Sequence, residues 1–120
     1  MNRRFQMDTA VILLNFVLSL ILLGTGLSLL KKHSPYPDFS SGYHHKAAME
    51  SRETWETANR RAGILCIAEG IFLFLAGPAL FYLGMTGPAF FAVWLALAVI
   101  AVLLAVFLPA LTLKIGRKRP

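Results

Sequence analysis

Three long apolar stretches dominate the pattern of hydrophobic and polar residues along this chain. They run from about 9 to 30, from about 62 to 83 and from about 89 to 113. A helix of roughly 20 mostly apolar residues is long enough to cross the hydrocarbon core of a bilayer. The pattern therefore predicts an all-α membrane protein in which a single domain, 1–120, contains three transmembrane helices.

A polar segment, which we call the cassette, separates the first two apolar stretches and covers 31–61. Its first part, HSPYPDFSSG, is rich in proline, serine and glycine, and this composition predicts a loop. The second part, KAAMESRETWETANRRAG, has helical character, and Ser51 is a suitable N-cap residue. The alternative is a helix that begins nearer Lys46 and first lies along the membrane interface, with Met49 and Trp55 among the headgroups.

The second and third apolar stretches are joined by GMTGP, residues 84–88, which contains no charged residue. Glycine and proline stop a helix and turn the chain, so these two stretches are predicted to form a tight antiparallel hairpin. The first stretch is longer than the core of a signal peptide, which is about 7–15 residues long. No small-x-small cleavage site follows it, so we interpret it as a retained helix.

The distribution of basic residues predicts the orientation in the membrane. With three spans, the N-terminus and the hairpin turn lie on one side, and the cassette and the C-terminus share the other. The first side carries Arg3 and Arg4. The second side carries ten basic residues, namely Lys31, Lys32, Lys46, Arg52, Arg60, Arg61, Lys114, Arg117, Lys118 and Arg119. Because Lys and Arg accumulate on the cytoplasmic side, we expect the cassette and the C-terminus to be cytoplasmic and the N-terminus to lie outside the cell membrane.

The composition agrees with a membrane protein and argues against two other classes. Hydrophobic residues make up 57% of the chain, and charged residues make up 15%, against about 25% in typical soluble domains. The net charge of +6 does not indicate direct nucleic-acid binding, because the basic residues border the apolar stretches instead of forming a patch on a polar surface. Cys66 is the single cysteine of the sequence, so the chain has no disulfide framework.

Glu69 is the one charged residue inside the second apolar stretch. A charged side chain at such a depth costs about 2.5–3.5 kcal/mol on insertion scales, which makes Glu69 a candidate functional residue. Two structural explanations remain open: Glu69 is protonated and hydrogen-bonded, or it pairs with a basic residue at the boundary, Lys31, Lys32 or Arg61. An unbroken helix would also align a stripe of residues leading into the membrane, namely Trp55, Asn59, Ala62, Cys66 and Glu69.

Small and polar residues in the spans predict how the helices pack. A row of glycines spaced by seven residues follows one helical face and comprises Gly63, Gly70, Gly77 and Gly84. We interpret this row as a packing groove in preference to a ligand site. Asn15 is predicted to form an interhelical hydrogen bond. Tyr82 and Trp94 are candidate anchors at the membrane interface.

The histidines and acidic residues of the cassette give a weak metal signal. The candidate ligands are His33, His44, His45, Glu50 and Glu53. They do not follow HExxH or a comparable ligand spacing, and the adjacent histidines point in different directions on a regular element. We therefore interpret the histidines as structural or pH-sensitive residues and predict no cofactor.

The cassette resembles the signature of the SdpI-type membrane proteins. That signature is, roughly, Gly, an apolar or aromatic residue, Arg-Thr, and then Ser-x-x-x-Trp followed by Asn or His with a basic residue. The residues that match in type and spacing are Gly42, Tyr43, Ser51, Trp55, Asn59 and Arg60. The resemblance covers most of the chain and points to the short, three-span form of the family. It departs from the pattern where His44 and His45 stand in place of the Arg-Thr pair.

The resemblance implies a bacterial membrane protein that gives immunity against a secreted, membrane-damaging peptide toxin. For some members it also implies recruitment of a transcription regulator to the membrane. Histidine in place of the arginine would bind a phosphate or carboxylate only when protonated. We take as candidate functional residues the matching positions, the two substituted positions and the intramembrane acid: Gly42, Tyr43, His44, His45, Ser51, Trp55, Asn59, Arg60 and Glu69.

Two other function classes stay open. A membrane-embedded enzyme would use the histidines and acidic residues of the cassette, together with Glu69, as a metal or acid–base centre. A small transporter or proton relay would also use Glu69, but the third span offers almost no polar residue to line a path. We expect a non-enzymatic protein whose partners are the bilayer, a peptide toxin, a cytoplasmic regulator and a second copy of the chain.

Overall fold

Three long helices account for most of the chain in the computed structural model, which describes residues 3–39 and 41–117. They are α1 (Arg3–Lys31), α2 (Arg52–Tyr82) and α3 (Gly87–Arg117), and one turn of 3₁₀ helix, Ala48–Glu50, precedes α2. Each long helix contains a segment that is long and apolar enough to cross a membrane. The described residues include no strand, which confirms the all-α class with three spans. The predicted orientation rests partly on Lys118 and Arg119, which lie outside the described residues.

Helix α2 is one continuous helix of 31 residues that contains the last third of the cassette, 52–61, and the second span. Ser51 is its N-cap, as predicted: the Ser51 Oγ accepts a hydrogen bond from the Thr54 N–H at 3.1 Å, and the Thr54 Oγ1 accepts one from the Ser51 N–H at 3.0 Å. This reciprocal arrangement satisfies two donors at the start of the helix. The alternative start near Lys46 is wrong, because the chain is extended at Ser51 (φ −152°) and the helix begins after it.

The glycine row of α2 packs against α1. A Cβ added at Gly63 would lie 2.8 Å from the Gly26 carbonyl oxygen, and one added at Gly70 would lie 3.0 Å from the Ser19 carbonyl oxygen. At Gly77 a Cβ would lie 2.4 Å from the Asn15 side chain. Lipid provides little hydrophobic drive for helix association, so such close backbone contacts are a main source of stability. The predicted packing groove is therefore confirmed at these three glycines.

Gly84 does not belong to that contact. It lies beyond the end of α2 with φ +99°, and a Cβ added there would meet no atom within 4 Å. Its spacing continues the heptad row, but its role is to turn the chain into α3, because residues with a side chain rarely adopt a positive φ.

The buried face of α1 is unusually polar for a transmembrane helix. It includes Asp8, Asn15 and Ser19, of which Asn15 and Ser19 are fully buried. The Trp94 Nε1–H donates to the Asn15 Oδ1 at 3.0 Å, which links α3 to α1 and confirms the predicted interhelical hydrogen bond of Asn15. The prediction of Trp94 as an interface anchor is wrong, because its ring is only 6% exposed and packs with Val11, Phe90 and Ala98. Its indole N–H finds a partner inside the bundle.

Asp8 closes the end of the bundle that lies away from the cassette. Its Oδ1 accepts a hydrogen bond from the Gly87 N–H, the first amide of α3, at 2.7 Å. The first amides of a helix lack an intrahelical partner, and a carboxylate there also interacts favourably with the helix dipole. Asp8 immediately precedes the first predicted span, and nothing in the sequence pattern alone marked it as a cap for a helix 79 residues away.

Two glycines of α1, two residues apart, give a direct test of the helix contact. A Cβ on Gly26 would lie 2.6 Å from the Gly63 carbonyl oxygen, whereas a Cβ on Gly24 would meet nothing within 4 Å. We expect Gly26→Ala to destabilise the folded chain by about 1–3 kcal/mol, because the helix backbones must separate. Gly24→Ala should be neutral or stabilising by up to about 1 kcal/mol. Reversible unfolding in mixed micelles measures both, and equal stabilities of the two variants would contradict the packing described here.

Candidate functional site

The cassette folds into a compact cap over one end of the helices, and Trp55 is at its centre. The Trp55 side chain is fully buried and packs with a ring of apolar residues: Tyr36, Phe39, Tyr43, Ala47, Ala48, Met49, Ala58 and Leu113. The Trp55 Nε1–H donates to the Ser34 carbonyl oxygen at 2.6 Å. Since a buried indole needs a partner for its N–H, this bond fixes the loop on the helix. The alternative in which Trp55 lies among headgroups is wrong.

Asn59 holds the loop against α2 through its amide oxygen, while its amide nitrogen is bonded within the helix. Its Oδ1 accepts a hydrogen bond from the Tyr43 N–H at 2.8 Å, and its Nδ2 donates to the Trp55 carbonyl oxygen at 2.8 Å. The chain passes very close to the amide at Gly42, where φ is +140° and an added Cβ would lie 2.6 Å from the Asn59 Oδ1. A residue with a side chain would clash there, which explains the glycine physically.

Tyr43 connects the cap to α3. Its hydroxyl donates to the Val106 carbonyl oxygen. Burial raises the pKa of the Tyr43 phenol above its ordinary value of 10.0, so the hydroxyl keeps its proton and remains a donor at neutral pH. A second link on this side of the bundle is the bond from the Arg61 Nη1–H to the Thr112 Oγ1 at 3.0 Å. The cap is thereby tied to the C-terminal half of α3.

His33 connects the cap to α1. Its Nδ1 lies 2.6 Å from the Leu29 carbonyl oxygen, and its Nε2 lies 2.7 Å from the Glu56 Oε2. A carbonyl oxygen only accepts, so the Nδ1 carries a proton in this arrangement. If the Glu56 carboxylate is ionised, the Nε2 carries one as well, and the imidazolium and the carboxylate form an ion pair.

The other two histidines make separate local contacts. His44 Nε2 donates to the Phe39 carbonyl oxygen, and the His44 ring meets the Trp55 ring edge-on at 5.9 Å. His45 Nδ1 accepts a hydrogen bond from the Ala47 N–H at 3.1 Å, and its ring stacks on Tyr43 at 6.2 Å. The three histidines thus have different hydrogen-bond partners, although the rings of His33 and His44 both meet the Trp55 ring edge-on.

The residues considered as metal ligands are not brought together. His33 pairs with Glu56, which was not among the candidate ligands. Over residues 3–39 and 41–117, no group of three or more His, Cys, Asp or Glu side chains is arranged to hold a metal ion. The described residues therefore do not form the metal centre that one version of the enzyme alternative requires.

The predicted stripe along α2 is confirmed, because all of its members are buried on one continuous helix: Trp55, Asn59, Ala62, Cys66 and Glu69. Trp55 and Glu69 are separated by about 21 Å along the axis at 1.5 Å per residue. The stripe therefore connects the centre of the cap to the intramembrane carboxyl through one rigid element.

Glu69 is buried without a partner. Its side chain is 9% exposed, and neither carboxyl oxygen has a hydrogen-bond partner among the described residues. Two structural explanations for Glu69 were left open, and the described residues show neither the pairing with Lys31, Lys32 or Arg61 nor a hydrogen bond to the carboxyl. The Arg61 guanidinium instead donates to Thr112. Burial of a polar group without a hydrogen bond costs several kcal/mol in an apolar medium, so this carboxyl is energetically unfavourable in the free protein.

A lateral groove between α2 and α3 runs beside this carboxyl, and we call it the Glu69 groove. Its volume is about 290 Å³, and it is lined by Leu65, Ala68, Glu69, Phe72, Leu97, Ile100, Ala101 and Leu104. All of these residues except Glu69 are apolar. The groove therefore combines an apolar wall with one carboxyl that has no donor.

Arg60 differs from the other signature residues because it is exposed and lies outside the cap core. It lines a polar groove of about 520 Å³ at the same end of the bundle, together with Ser51, Glu53, Thr54, Thr57, Arg61 and Leu113. Sequence reasoning missed the contributions of Ser34, Thr54 and Glu56. Two of these act through partners far along the chain, which spacing alone does not reveal.

These features define a class: a multi-pass α-helical membrane protein in which the polar segment between the first two spans folds as a cap on one end of the bundle. The model of the SdpI/YfhL protein family matches residues 37–112, and the chain belongs to this family. The match begins in the loop of the cap and ends near the C-terminal part of α3, so it includes every candidate functional residue. Comparison with curated proteins and with solved structures found no match.

The cap makes a prediction for Trp55. Trp55→Phe keeps an aromatic ring in the core but removes the donor to the Ser34 carbonyl oxygen, which should cost about 1–3 kcal/mol. We expect faster hydrogen exchange of the backbone amides in 33–45, measured by mass spectrometry in detergent. Trp94→Phe is the matched control, because it removes an indole donor at the other end of the bundle. Faster exchange of the cap in the control variant alone would contradict this description.

Proposed function

We propose that this protein is a non-enzymatic immunity protein of the cell membrane that protects against a membrane-active peptide toxin. Membership of the SdpI/YfhL family supports the proposal. The observation that carries it is the unpartnered carboxyl of Glu69 beside a lateral groove, on the same buried stripe as the signature residues of the cap. A protein that intercepts a peptide inside the bilayer needs such an opening toward lipid.

The proposed mechanism places recognition in the membrane and reporting in the cap. A peptide that enters the Glu69 groove would separate the mid-span contacts of α2 and α3. Because α2 is continuous, a displacement at Glu69 would reach Trp55 and Asn59 without a flexible joint. The loop of the cap is fixed to α2 through these two residues, so its exposed surface would change with occupancy.

A role in signalling is the second part of the proposal. The polar groove around Arg60 is lined by the exposed guanidinium groups of Arg60 and Arg61, by the Glu53 carboxylate and by hydroxyl groups, so basic side chains outnumber acidic ones. Such a surface suits an acidic partner, since Arg binds carboxylates in a bidentate manner. We propose that a cytoplasmic regulator docks on this face.

The transporter alternative has weaker support. Helix α1 carries buried polar side chains, which the third span lacks, but the Asp8 Oδ1 and the Asn15 Oδ1 both accept hydrogen bonds that hold the helices together. Cys66, Leu22, Leu73 and Ala101 form an apolar cluster next to Glu69 in the middle of the bundle. A continuous polar path would have to break that cluster.

The immunity role predicts that protection depends on the acid at Glu69. Cells that express the chain should resist at least one member of a panel of purified apolar and cationic membrane-permeabilising peptides, with dye uptake as the measurement. Glu69→Gln should insert normally but abolish the protection, because the amide cannot be ionised. Arg52→Gln, which removes an exposed charge of the cassette outside both grooves, is the control and should protect fully. Full resistance with Glu69→Gln would remove Glu69 from the mechanism.

The proposed orientation has its own test. In a Cys66→Ala background, Thr86→Cys lies in the turn between α2 and α3, and Lys46→Cys lies in the cassette. A membrane-impermeant maleimide applied to intact cells should label Thr86→Cys at least tenfold more than Lys46→Cys, and permeabilised cells should show both labelled. The reverse ratio in intact cells would place the cassette outside the cell.

A further inference from the structure

From the Glu69 groove we infer the chemistry of its ligand: an apolar helical peptide that presents one cationic side chain, a lysine or arginine, at the depth of Glu69. This inference rests on the proposed function and makes it specific, because it names the class of peptide that the protein intercepts. It combines an unsatisfied buried carboxyl, the composition of the groove walls and the absence of cations from the spans.

The carboxyl sets the first requirement. Glu69 is 9% exposed, and no described residue donates a hydrogen bond to either of its oxygens. It lies about 12 Å along α2 from Arg61 at 1.5 Å per residue, beyond the basic residues at the boundary. A ligand that supplies a donor removes the cost of this unsatisfied group, and a cationic donor gains more than a neutral one because charge-assisted hydrogen bonds are stronger.

The walls of the groove set the second requirement. Seven apolar side chains line it with Glu69, and Ala68, Phe72, Ile100 and Leu104 among them are exposed on the outer surface of the bundle. The occupant must therefore be apolar over most of its length and reach the groove from the lipid. The volume of about 290 Å³ is at the lower limit of pockets for small ligands, which occupy about 300–1,000 Å³. Side chains projecting from a helix suit this shallow site better than a whole small molecule does.

The sequence of the spans argues against a second copy of the chain as the source of the cation. No Lys, Arg or His occurs in 5–30 or in 62–113. A second copy lying alongside in the bilayer therefore offers hydroxyl or amide groups at this depth, but no positive charge. An acyl chain of a lipid fits the walls and leaves the carboxyl without a donor. A foreign peptide with a cationic residue satisfies both requirements.

The test uses the full chain in phosphatidylcholine vesicles and two synthetic probes. Both are Leu/Ala helices of about 22 residues, long enough to span the bilayer. One has a single lysine at its centre, and the other has leucine there. Energy transfer between a dye on Thr86→Cys, in the Cys66→Ala background, and a dye on the peptide gives the binding curve as peptide is added. We expect at least tenfold tighter binding of the lysine peptide than of the leucine peptide.

Three variants assign that preference to the groove. Glu69→Gln should reduce the preference for lysine to less than threefold. Ala68→Phe fills the groove but keeps the carboxyl, and it should weaken binding of the lysine peptide at least fivefold. Ala79→Phe is the matched control, because Ala79 is another exposed alanine of α2 and does not line the groove; it should bind like the wild type. Unchanged helix content by circular dichroism shows that each variant is folded.

The outcomes separate this inference from the proposed function. Equal binding of the two peptides by the wild type, or an unchanged preference in Glu69→Gln, overturns the inference. Energy transfer between two copies of the chain that is lost in Glu69→Gln would make the groove a dimer interface and also overturn it. Selective binding of the lysine peptide without any protection of cells would leave the inference standing and remove the immunity role. Protection of cells without selective binding of the lysine peptide would leave the immunity role standing and overturn the inference.

Discussion

The close contact of α1 and α2 through small residues is the constraint on which the rest of the structure depends. The Gly26 and Gly63 backbones approach each other so closely that an added Cβ at either position would overlap a carbonyl oxygen. In lipid, apolar side chains gain little by leaving the solvent, so this backbone packing has to supply what a hydrophobic core supplies in water. It also places the polar face of α1 inside the bundle, where Asn15 and Asp8 can reach α3.

The sequence pattern was sufficient for the helices and for one of their contact faces. The length of the apolar stretches predicts the three spans, and Ser51 predicts the start of α2. The heptad spacing of Gly63, Gly70 and Gly77 predicts the surface of α2 that packs against α1. These features are local, since each depends on residues within one helix. Predictions were wrong where one residue type or spacing is compatible with two roles. Gly84 continues the heptad row but turns the chain, and Trp94 is of a residue type common at membrane interfaces but is buried in the bundle.

The cap illustrates what spacing cannot supply. Its positions were marked by the resemblance to a family, but the bonds that explain them join residues far apart in sequence. Asn59 accepts from the Tyr43 amide across 16 residues, and Trp55 donates to Ser34 across 21. His33 was considered as a metal ligand, yet its partner is Glu56, two residues beyond the capping residue Thr54. Partner choice of this kind depends on how the loop crosses the end of the helices, and periodicity carries no information about that.

The polar link between Asp8 and Gly87 has a consequence for how the bundle can deform. At one end α3 is hydrogen-bonded to the Asp8 carboxylate of α1, and toward the other end it is hydrogen-bonded to Tyr43 and Arg61 of the cap. Between these two sets of hydrogen bonds, the cluster that joins α2 to α3 is made of apolar side chains, whose contacts with each other are readily replaced by contacts with lipid tails. Helix α3 is therefore bonded to α1 at Gly87 and Trp94 and to the cap near its C-terminal end, and the stretch between Trp94 and Val106, which lines the Glu69 groove, is held by apolar contacts. Displacement of α3 by lateral pressure would begin in that stretch, while the hydrogen-bonded ends keep their register.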